Sequence, residues 1–299
     1  MTAHTILITG TSSGMGERMA YALAQRGHHV FASMRGIAGK NAARADAARH
    51  FAAAESVDLR PLEMDVLDEA SVAAAVSDVV RERGGIDVLI HNAGHMVTGP
   101  AEAFTTEQCA AMYDVNVLGT QRLNRAALPV MRAAGRGLVV WIGSTSTRGG
   151  TPPYLAPYFA AKAAMEAFAV SYAAELAPWG IETSIVVPGI YVSGTNHFAH
   201  AERPADEAVL RDYAGGPTRD IPERIRAGQQ GVVPVDADVG EVARAVVRVV
   251  EAPFGERPFR VTVDPVDGGS DVVSMVADRV RSEMFRRIGM GDLLKPAMR

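Results

Sequence analysis

Tyr158 and Lys162 are the two residues whose types and spacing most directly suggest chemistry. They lie four positions apart in an alanine-rich stretch that runs on to Ala177, which predicts a helix with both side chains on one face. An ammonium group close to a phenol favours the phenolate, so we expect the tyrosine pKa to fall below its usual value of about 10. Such a tyrosine could protonate a carbonyl oxygen or deprotonate an alcohol. Taken alone, the same spacing is more often an ordinary surface pair.

A glycine-rich turn near the amino terminus predicts a phosphate site. Residues 5–9 are predicted to form a strand and residues 17–26 a helix, with a Gly-x-x-x-Gly-x-Gly turn between them. Glycines permit a tight turn and close backbone approach, and the start of a helix offers amides to a pyrophosphate. The alternative is a plain turn without a ligand. The cofactor contacts expected here are Gly10, Ser12, Ser13, Gly14, Met15 and Gly16.

The end of the second predicted strand indicates which dinucleotide would bind. An acidic residue there would bind the ribose hydroxyls of NAD, but Met34 stands at that point and Arg35 follows it. A guanidinium group pairs with a 2′-phosphate through forked, charge-assisted hydrogen bonds. The sequence therefore favours NADP(H) over NAD(H), with a solvated surface charge as the alternative role of Arg35.

Short apolar runs alternate with helical patterns through the first two thirds of the chain. This alternation predicts βαβ units and a parallel sheet. The predicted strands are 5–9, 29–34, 59–64, 86–91, 137–142, 182–187 and 259–263, and the further predicted helices are 71–82, 107–134 and 158–177. The fold class is therefore α/β, with residues 1–299 forming one doubly wound Rossmann-type domain whose central parallel sheet has helices on both faces.

Two segments depart from the alternating pattern. Residues 190–235 are rich in glycine and proline with apolar residues among them, and we interpret them as a substrate-binding loop or lid within the domain. Residues 270–299 are predicted to be a C-terminal extension with helical character but no decisive apolar stripe.

Composition excludes several classes of function. The chain is 48% hydrophobic and 21% charged with a formal net charge of −4, which gives no support to a nucleic-acid or membrane partner. Cys109 is the only cysteine, so an internal disulfide is impossible, and no metal site is expected. No apolar run reaches the ~18 residues of a membrane span, and no signal-length segment opens the chain. We expect a soluble, cytoplasmic protein.

Several motifs occur together in one order, each at or just after a predicted strand or in a predicted helix. They are the glycine turn at 10–16, Asp65-Val66, His91-Asn92-Ala93-Gly94, Asn116, Ser144, Tyr158 with Lys162, and Pro188-Gly189. In this order the chain resembles the short-chain dehydrogenase/reductase family with its Tyr-x-x-x-Lys active site, from residue 5 to about 195. The resemblance implies that Asp65 and Val66 lie against the adenine. It also implies that Asn92, Ala93, Gly94, Pro188 and Gly189 line the cofactor cleft, with Tyr158 and Lys162.

The resemblance also implies a catalytic set of Asn116, Ser144, Tyr158 and Lys162. Ser144 would polarise the carbonyl, and Asn116 would hold a water that links Lys162 to solvent. The serine assignment has an alternative, because the strand register favours Ser144 whereas counting back from Tyr158 falls on Thr145, between Ser144 and Ser146. His91 stands where the family more often has Asn, and we assign it a structural hydrogen bond.

The sequence therefore predicts an NADP(H)-dependent oxidoreductase that interconverts a ketone or aldehyde with an alcohol, in the reductive direction. The apolar residues in 190–235 favour a bulky or lipophilic small-molecule substrate. The resemblance further implies a homo-oligomer, with a four-helix contact made by the helices at 107–134 and 158–177. The alternatives are a non-catalytic cofactor-binding regulator and a lyase or epimerase on the same fold.

Overall fold

A seven-stranded parallel sheet brings together residues that lie far apart in the sequence. The structure, a computed structural model, describes residues 2–195 and 200–297. The strands are β1 (Thr5–Ile8), β2 (His29–Met34), β3 (Leu59–Glu63), β4 (Val88–His91), β5 (Gly137–Ile142), β6 (Ile181–Pro188) and β7 (Arg260–Val263). Their order across the sheet is β3-β2-β1-β4-β5-β6-β7, and every neighbouring pair is parallel.

Helices cover both faces of this sheet, because the strands carry apolar side chains on each face. The helices are α1 (Gly14–Gln25), α2 (Ala42–Glu55), α3 (Glu69–Arg83), α4 (Thr106–Tyr113), α5 (Gly119–Ala134), α6 (Ala156–Leu176), α7 (Glu207–Gly215), α8 (Ile221–Val232), α9 (Gly240–Glu251) and α10 (Ser270–Arg287). One apolar layer contains α1, α2 and α9, and the other contains α3, α5 and α6. The predicted doubly wound α/β class is confirmed.

The strand order reverses between β1 and β4, and this fixes where a ligand can bind. β1 pairs with β2 on one side and with β4 on the other, with Ile8 opposite both Ala32 and Ile90. The connections on the two sides run to opposite faces of the sheet, which leaves a crevice beyond the carboxyl ends of β1 and β4.

Most predicted elements exist, with small differences at their ends. β2 and β5 have the predicted bounds, whereas α3 begins two residues early because the Asp68 carboxylate accepts a hydrogen bond from the Ala70 amide at 2.8 Å. The predicted helix at 107–134 is divided by a π-helical segment, Asp114–Leu118. Outside the 190–235 and 270–299 segments, the described helices that were not predicted are α2 and α9.

The two unusual segments each contain helices. The 190–235 segment includes α7 and α8, and the 270–299 segment includes α10 followed by the 3₁₀ turn Gly291–Leu294. The parts of these segments at 196–199 and 298–299 lie outside the described residues. α10 does carry an apolar stripe, contrary to the prediction, and that stripe faces away from the sheet.

No helix among the described residues is both long enough and apolar enough to cross a membrane.

Candidate active site

Thr9 joins the ends of β1 and β4 and so builds the floor of the crevice. Its hydroxyl oxygen accepts hydrogen bonds from the amides of Asn92 at 2.9 Å and Ala93 at 2.8 Å. The Asn92 side-chain amide donates in return to the carbonyl oxygens of Thr9 and Gly10. Sequence reasoning placed Asn92 and Ala93 at the site but missed Thr9, although its place at the end of β1 was the available signal.

The glycine turn is packed so closely that a side chain at Gly10 or Gly16 would clash with neighbouring backbone. A Cβ at Gly16 would lie 2.3 Å from the Gly10 carbonyl oxygen and 2.5 Å from the Asn92 side-chain nitrogen. Gly10 has φ +70°, and a Cβ there would lie 2.7 Å from the Cα of Ala93. At Gly14 a Cβ would meet nothing, so the start of α1 faces open space.

The first turn of α1 keeps its amides available to a ligand. Ser13 is the N-cap residue, and its side chain makes no capping hydrogen bond. Ser12, Ser13, Gly14 and Met15 are all half-buried at this rim. Free helical amides beside an open glycine turn are the arrangement that binds a pyrophosphate, so the residues present fit a dinucleotide.

Arg35 stands exposed at the end of β2, next to the crevice. The loop that follows it is fixed by Glu63 at the end of β3, whose carboxylate accepts from the amides of Gly36 at 2.6 Å and Ile37 at 2.8 Å. Sequence reasoning missed Glu63. Its position one strand away from Arg35 became visible only with the strand order.

Asp65 and Val66 follow β3 at the far side of the crevice, and both are half-buried. The Asp65 carboxylate accepts from the amide of Leu67 at 3.0 Å and so stabilises its own turn, while Asp68 caps α3. Val66 packs against the start of α5, where a Cβ on Gly119 would approach it to 3.1 Å.

Asn116 lies fully buried within the π-helical segment and holds the loop after β4. Its side-chain oxygen accepts from the His95 amide at 3.2 Å, and its side-chain nitrogen donates to the carbonyl oxygens of His95 and Met112. A Cβ on Gly94 would lie 2.8 Å from that oxygen. Asn116 therefore contacts the backbone beside Lys162, and π-helical turns are frequent at functional sites.

Ser144 is the serine that lies beside the tyrosine. Its side chain is close enough to the Tyr158 phenol to lower that group's pKa, whereas the Ser146 hydroxyl donates to the Ser144 oxygen at 2.8 Å. Ser144 also caps the 3₁₀ turn Thr145–Thr147 by accepting from the Ser146 amide. This geometry favours the strand-based register over the count back from Tyr158.

The Tyr158–Lys162 pair differs electrostatically from the prediction. Burial raises the pKa of Tyr158 to about 12, and the hydrogen bond with Ser144 opposes part of that rise. Burial lowers the pKa of Lys162 to about 8. The ammonium group donates to the Ile142 carbonyl oxygen at 2.9 Å rather than to the phenol. The direction of the tyrosine pKa shift in the protein alone is therefore opposite to the expected fall, because burial disfavours the charged phenolate.

His91 is buried against the core and does not face the crevice. Its ring lies 4.3 Å from the Trp141 ring, and Nε2 lies 2.8 Å from the side-chain oxygen of Asn124. Burial lowers the pKa of His91 to about 4, so the ring is neutral at physiological pH. These contacts agree with the predicted structural role.

A cavity of about 490 Å³ opens at the carboxyl ends of β4, β5 and β6. Ser144, Tyr158 and Lys162 line its inner end, with Asn92 and Gly94 beside them. Its outer wall is formed by one side of α8, and the lining there is Arg224, Ile225, Gly228, Gln229 and Val232. Helix α8, which belongs to the 190–235 segment, therefore covers the end of the crevice that holds Tyr158 and Lys162.

Pro188 and Gly189 line the same cavity at the end of β6. The Gly189 amide donates to the Val263 carbonyl oxygen at 2.9 Å, and a Cβ on Gly189 would lie 2.0 Å from an Asp264 oxygen. Only glycine allows this approach between the ends of β6 and β7. Thr195 also lines the cavity, and Ser193 is exposed nearby.

A buried carboxylate, Glu166, contacts Thr147 and Arg148 in the segment that follows Ser144. It lies one helical turn beyond Lys162, and its side chain is 1% exposed. The carboxylate is within 2.5 Å of the Thr147 hydroxyl, 3.0 Å of the Arg148 guanidinium and 2.9 Å of the Arg260 guanidinium. Sequence reasoning missed Glu166, although its spacing of four from Lys162 was visible.

The described residues contain no group of three or more His, Cys, Asp or Glu side chains that could hold a metal ion. What they do bring together is a phosphate-binding turn and a Ser–Tyr–Lys cluster, at one edge of one sheet. The fold and the crevice thus define a Rossmann-type dinucleotide-binding protein.

Comparison with known proteins identifies the family. The family model for short chain dehydrogenases matches residues 4–204. The chain belongs to this short-chain dehydrogenase/reductase family of oxidoreductases, as the motifs predicted.

Two curated relatives illustrate the family's range. A 3-ketodihydrosphingosine reductase of Bacteroides thetaiotaomicron is 34% identical over 194 residues, which are 65% of this chain and 66% of the relative. A human 17-beta-hydroxysteroid dehydrogenase type 1 is 38% identical over 192 residues, which are 63% of this chain and 57% of the relative. The chain thus spans less than two thirds of the length of each.

Two solved structures resemble the whole fold. A short-chain dehydrogenase from Streptomyces avermitilis has a TM-score of 0.70 at 28% identity, covering 97% of this chain and 98% of its own. A gluconate 5-dehydrogenase from Burkholderia cenocepacia J2315, solved with NADP and tartrate, has a TM-score of 0.70 at 25% identity. That match covers 91% of this chain and 96% of the other.

Proposed function

We propose that this protein is an NADP(H)-dependent reductase of bulky, apolar ketones or aldehydes. The observation that carries the proposal is the placing of Ser144, Tyr158 and Lys162 at the inner end of one cavity, next to the glycine turn. A bound NADPH would supply the hydride to the carbonyl carbon.

In this proposal Tyr158 supplies the proton that balances the hydride. Its phenol is protonated at neutral pH, since burial raises its pKa to about 12, so it is ready to act as an acid toward the carbonyl oxygen. Ser144, whose side chain lies beside Tyr158, would turn its hydroxyl proton to the same oxygen and polarise the carbonyl.

Lys162 would supply positive charge beside the phenol and hold the cofactor ribose. Its ammonium form is the major one at pH 7, because its lowered pKa is about 8. Asn116 would fix the backbone at Gly94 and His95 and carry a water that connects Lys162 to solvent.

The preference for NADP(H) rests on the end of β2. Met34 is buried where an acidic residue would bind NAD, and Arg35 is exposed beside the crevice. The gluconate 5-dehydrogenase with the same fold carries NADP. Asp65, Val66, Asn92, Ala93, Gly94, Pro188 and Gly189 would line the rest of the cofactor cleft.

The substrate class follows from the walls of the cavity. Apolar side chains at Met96, Leu155, Phe159, Ile225 and Val232 line the part beyond Tyr158. Two curated relatives are named as a 3-ketodihydrosphingosine reductase and a 17-beta-hydroxysteroid dehydrogenase. A ketone with a large apolar group would remove the apolar surface of these walls from water, whereas a small polar ketone would not.

The test is NADPH oxidation measured with apolar ketones of increasing size. We expect kcat/KM to rise with apolar size, and Tyr158→Phe to lower turnover by about 10² to 10⁴-fold while NADPH still binds. Tyr172→Phe is the matched control, since it removes a hydroxyl from the same helix outside the cavity. Full activity in Tyr158→Phe would contradict the mechanism.

Two further measurements separate the alternatives. Arg35→Asp should lower the NADPH-to-NADH preference on the order of tenfold, through loss of a charged hydrogen bond. A protein that binds NADPH tightly but oxidises it with no carbonyl compound would instead be a cofactor-binding regulator. Conversion of substrate without net NADPH consumption would indicate a lyase or epimerase.

A further inference from the structure

A second cavity, of about 590 Å³, lies between β7 and α10. Its volume is in the range of about 300 to 1,000 Å³ that small-molecule sites usually have. Among the described residues, none lines both this cavity and the one that holds Tyr158 and Lys162. The reaction proposed above therefore leaves the second cavity without a role, and any role for it stands independently of that reaction.

Arg281 brings a poorly compensated positive charge to this cavity. Its guanidinium carbon lies 4.7 Å from the centroid of the Phe259 ring and 5.0 Å from that of Phe285. Aromatic rings attract the charge but supply no oxygen acceptor, and the buried Nε has no hydrogen-bond partner in the described part of the chain. Burial lowers the pKa of Arg281 below its usual value, as expected for a cation that lacks an anionic partner.

The carboxylates near Arg281 are already paired with other cations. Asp278, one helical turn before it, makes a two-point ion pair with Arg260 at 2.8 and 3.1 Å. Arg260 also pairs with Glu166, and Glu166 pairs with Arg148, so this chain of ion-paired groups has no net charge. Arg281 is thus left without a carboxylate of its own among the described residues.

The two remaining charged residues that line the cavity do not change this balance. Arg279 is 80% exposed and pairs with Glu283 at 2.8 Å. Asp271 lies at the start of α10, about 15 Å from Arg281 along the axis at the usual helical rise per residue. A ligand beside Arg281 therefore meets one uncompensated positive charge.

The rest of the lining combines an unpartnered hydroxyl with apolar side chains. Ser274, two turns before Arg281 on the same face of α10, is 1% exposed, and its hydroxyl has no hydrogen-bond partner within the described ranges. Phe259, Met275 and Leu294 supply the apolar surface. A ligand with both a hydrogen-bond acceptor and an apolar group matches this lining.

We propose that this cavity is a binding site for a small monocarboxylate that carries an apolar group. Arg281 pairs with the carboxylate, whose two oxygens accept the forked hydrogen bonds that a guanidinium donates. The apolar group lies against Phe259, Met275 and Leu294. A dianion such as phosphate brings one charge too many and would bury none of this apolar surface.

The test is a calorimetric titration of the full chain with benzoate, a ring that carries one carboxylate, up to about 20 mM. We expect saturable binding to the wild type and a dissociation constant at least about tenfold higher in Arg281→Gln, through loss of the charged hydrogen bonds. Arg286→Gln is the matched control, because Arg286 is exposed on the same helix and does not line the cavity. It should bind benzoate as the wild type does.

A second pair of variants tests the charge at the site without touching a buried contact. Met275 lines the cavity and is 62% exposed, and Glu and Lys both have high helix propensity, so either one there leaves α10 intact. Both variants lose the same apolar side chain and differ only in the sign of the new charge. We therefore expect benzoate to bind Met275→Lys about tenfold more tightly than Met275→Glu. Circular dichroism shows whether each variant is folded, and this pair decides the matter if Arg281→Gln is not.

Several results would overturn the proposal. One is a wild-type protein that shows no saturable binding of benzoate over this range. Another is equal affinity in the wild type and in folded Arg281→Gln, or equal affinity in the two Met275 variants. Benzyl alcohol, which lacks the carboxylate, and inorganic phosphate, which lacks the ring, should each bind at least about tenfold more weakly than benzoate. Comparable affinity for either compound would equally contradict the assignment.

Discussion

Helices α6 and α10 both turn a polar stripe with a spacing of four residues towards the protein. In α6 the stripe is Tyr158, Lys162 and Glu166, and each of these side chains is buried. In α10 it is Ser270, Ser274, Asp278 and Ser282. Arg260 joins the two stripes, since its guanidinium contacts both Glu166 and Asp278.

The two stripes differ in the environment of their polar groups. The α6 stripe is buried, and burial shifts the pKa values of its titratable groups strongly, to about 12 for Tyr158 and about 8 for Lys162. The Asp278 side chain on α10 is 26% exposed, and its stripe borders an open cavity of about 590 Å³. Strongly shifted pKa values are typical of functional sites, whereas the partly solvated Arg260–Asp278 ion pair orients α10.

The largest effect on stability should come from Glu166, the buried carboxylate that pairs with Arg260. Glu166→Ala would leave the buried Arg260 guanidinium and the half-buried Arg148 guanidinium with one partner fewer each, and we expect a loss of about 3 to 5 kcal/mol in the free energy of unfolding. Urea denaturation measures it, with Glu175→Ala on the exposed side of α6 as control. A loss below about 1 kcal/mol would mean that water replaces the carboxylate.

Removing the partner on α10 should cost less. Asp278→Ala leaves Arg260 paired with Glu166, and the lost hydrogen bonds are partly solvated. We expect about 1 to 2 kcal/mol in the same urea experiment. Equal losses for Asp278→Ala and Glu166→Ala would contradict the inference that the buried ion pair contributes more to stability than the partly solvated one.

Removing the buried Lys162 ammonium group should increase the free energy of unfolding rather than lower it. The pKa of Lys162 falls from 10.5 to about 8 on folding, so its charged form opposes folding by about 3 kcal/mol below pH 8. Lys162→Met loses the hydrogen bond to Ile142, and the net gain expected at pH 7 is about 1 to 2 kcal/mol.

The pH dependence of this gain checks its cause. Because the folded pKa is lowered, the penalty disappears as the pH rises from about 8 to above 10, and the variant should lose its advantage there. Exposed Lys40→Met should show neither effect. A variant less stable than the wild type at pH 7 would show that the hydrogen bond outweighs desolvation.

The smallest effect concerns the outer face of α10. Val280→Ala removes an exposed side chain and raises helix propensity, so the free energy of unfolding should change by no more than about 0.5 kcal/mol. Urea denaturation measures this change, and a loss above about 1 kcal/mol would mean that the Val280 side chain is covered in the folded protein.

The sequence predicted the crevice well because its signals are local. A glycine turn between a strand and a helix, and polar residues just after strands, are legible without tertiary structure, and the fold places them at one edge of the sheet. α9 could also have been predicted, since Val242, Val246, Val249 and Val250 follow helical spacing. α2 was harder, because only Ala45 and Ala48 are buried.

Other features depend on the environment that folding creates. The pKa of Tyr158 is set by burial, and the spacing of Tyr158 from Lys162 gave no information about burial. The interruption of the 107–134 helix by a π-helical segment arises from contacts of Asn116 with a distant loop. The outward direction of the α10 valines depends on Arg260 and Phe259, which precede the helix by several residues.

The hydroxyl of Thr9 has a consequence for how the protein is made. It holds the amides of Asn92 and Ala93, which lie 83 and 84 positions further along the chain. A ribosome must therefore release β4 before the floor of the crevice can form, whereas Tyr158 is added only later. During synthesis the two halves of the crevice are thus completed in sequence, with the Thr9 contacts available before the Ser144–Tyr158–Lys162 cluster exists.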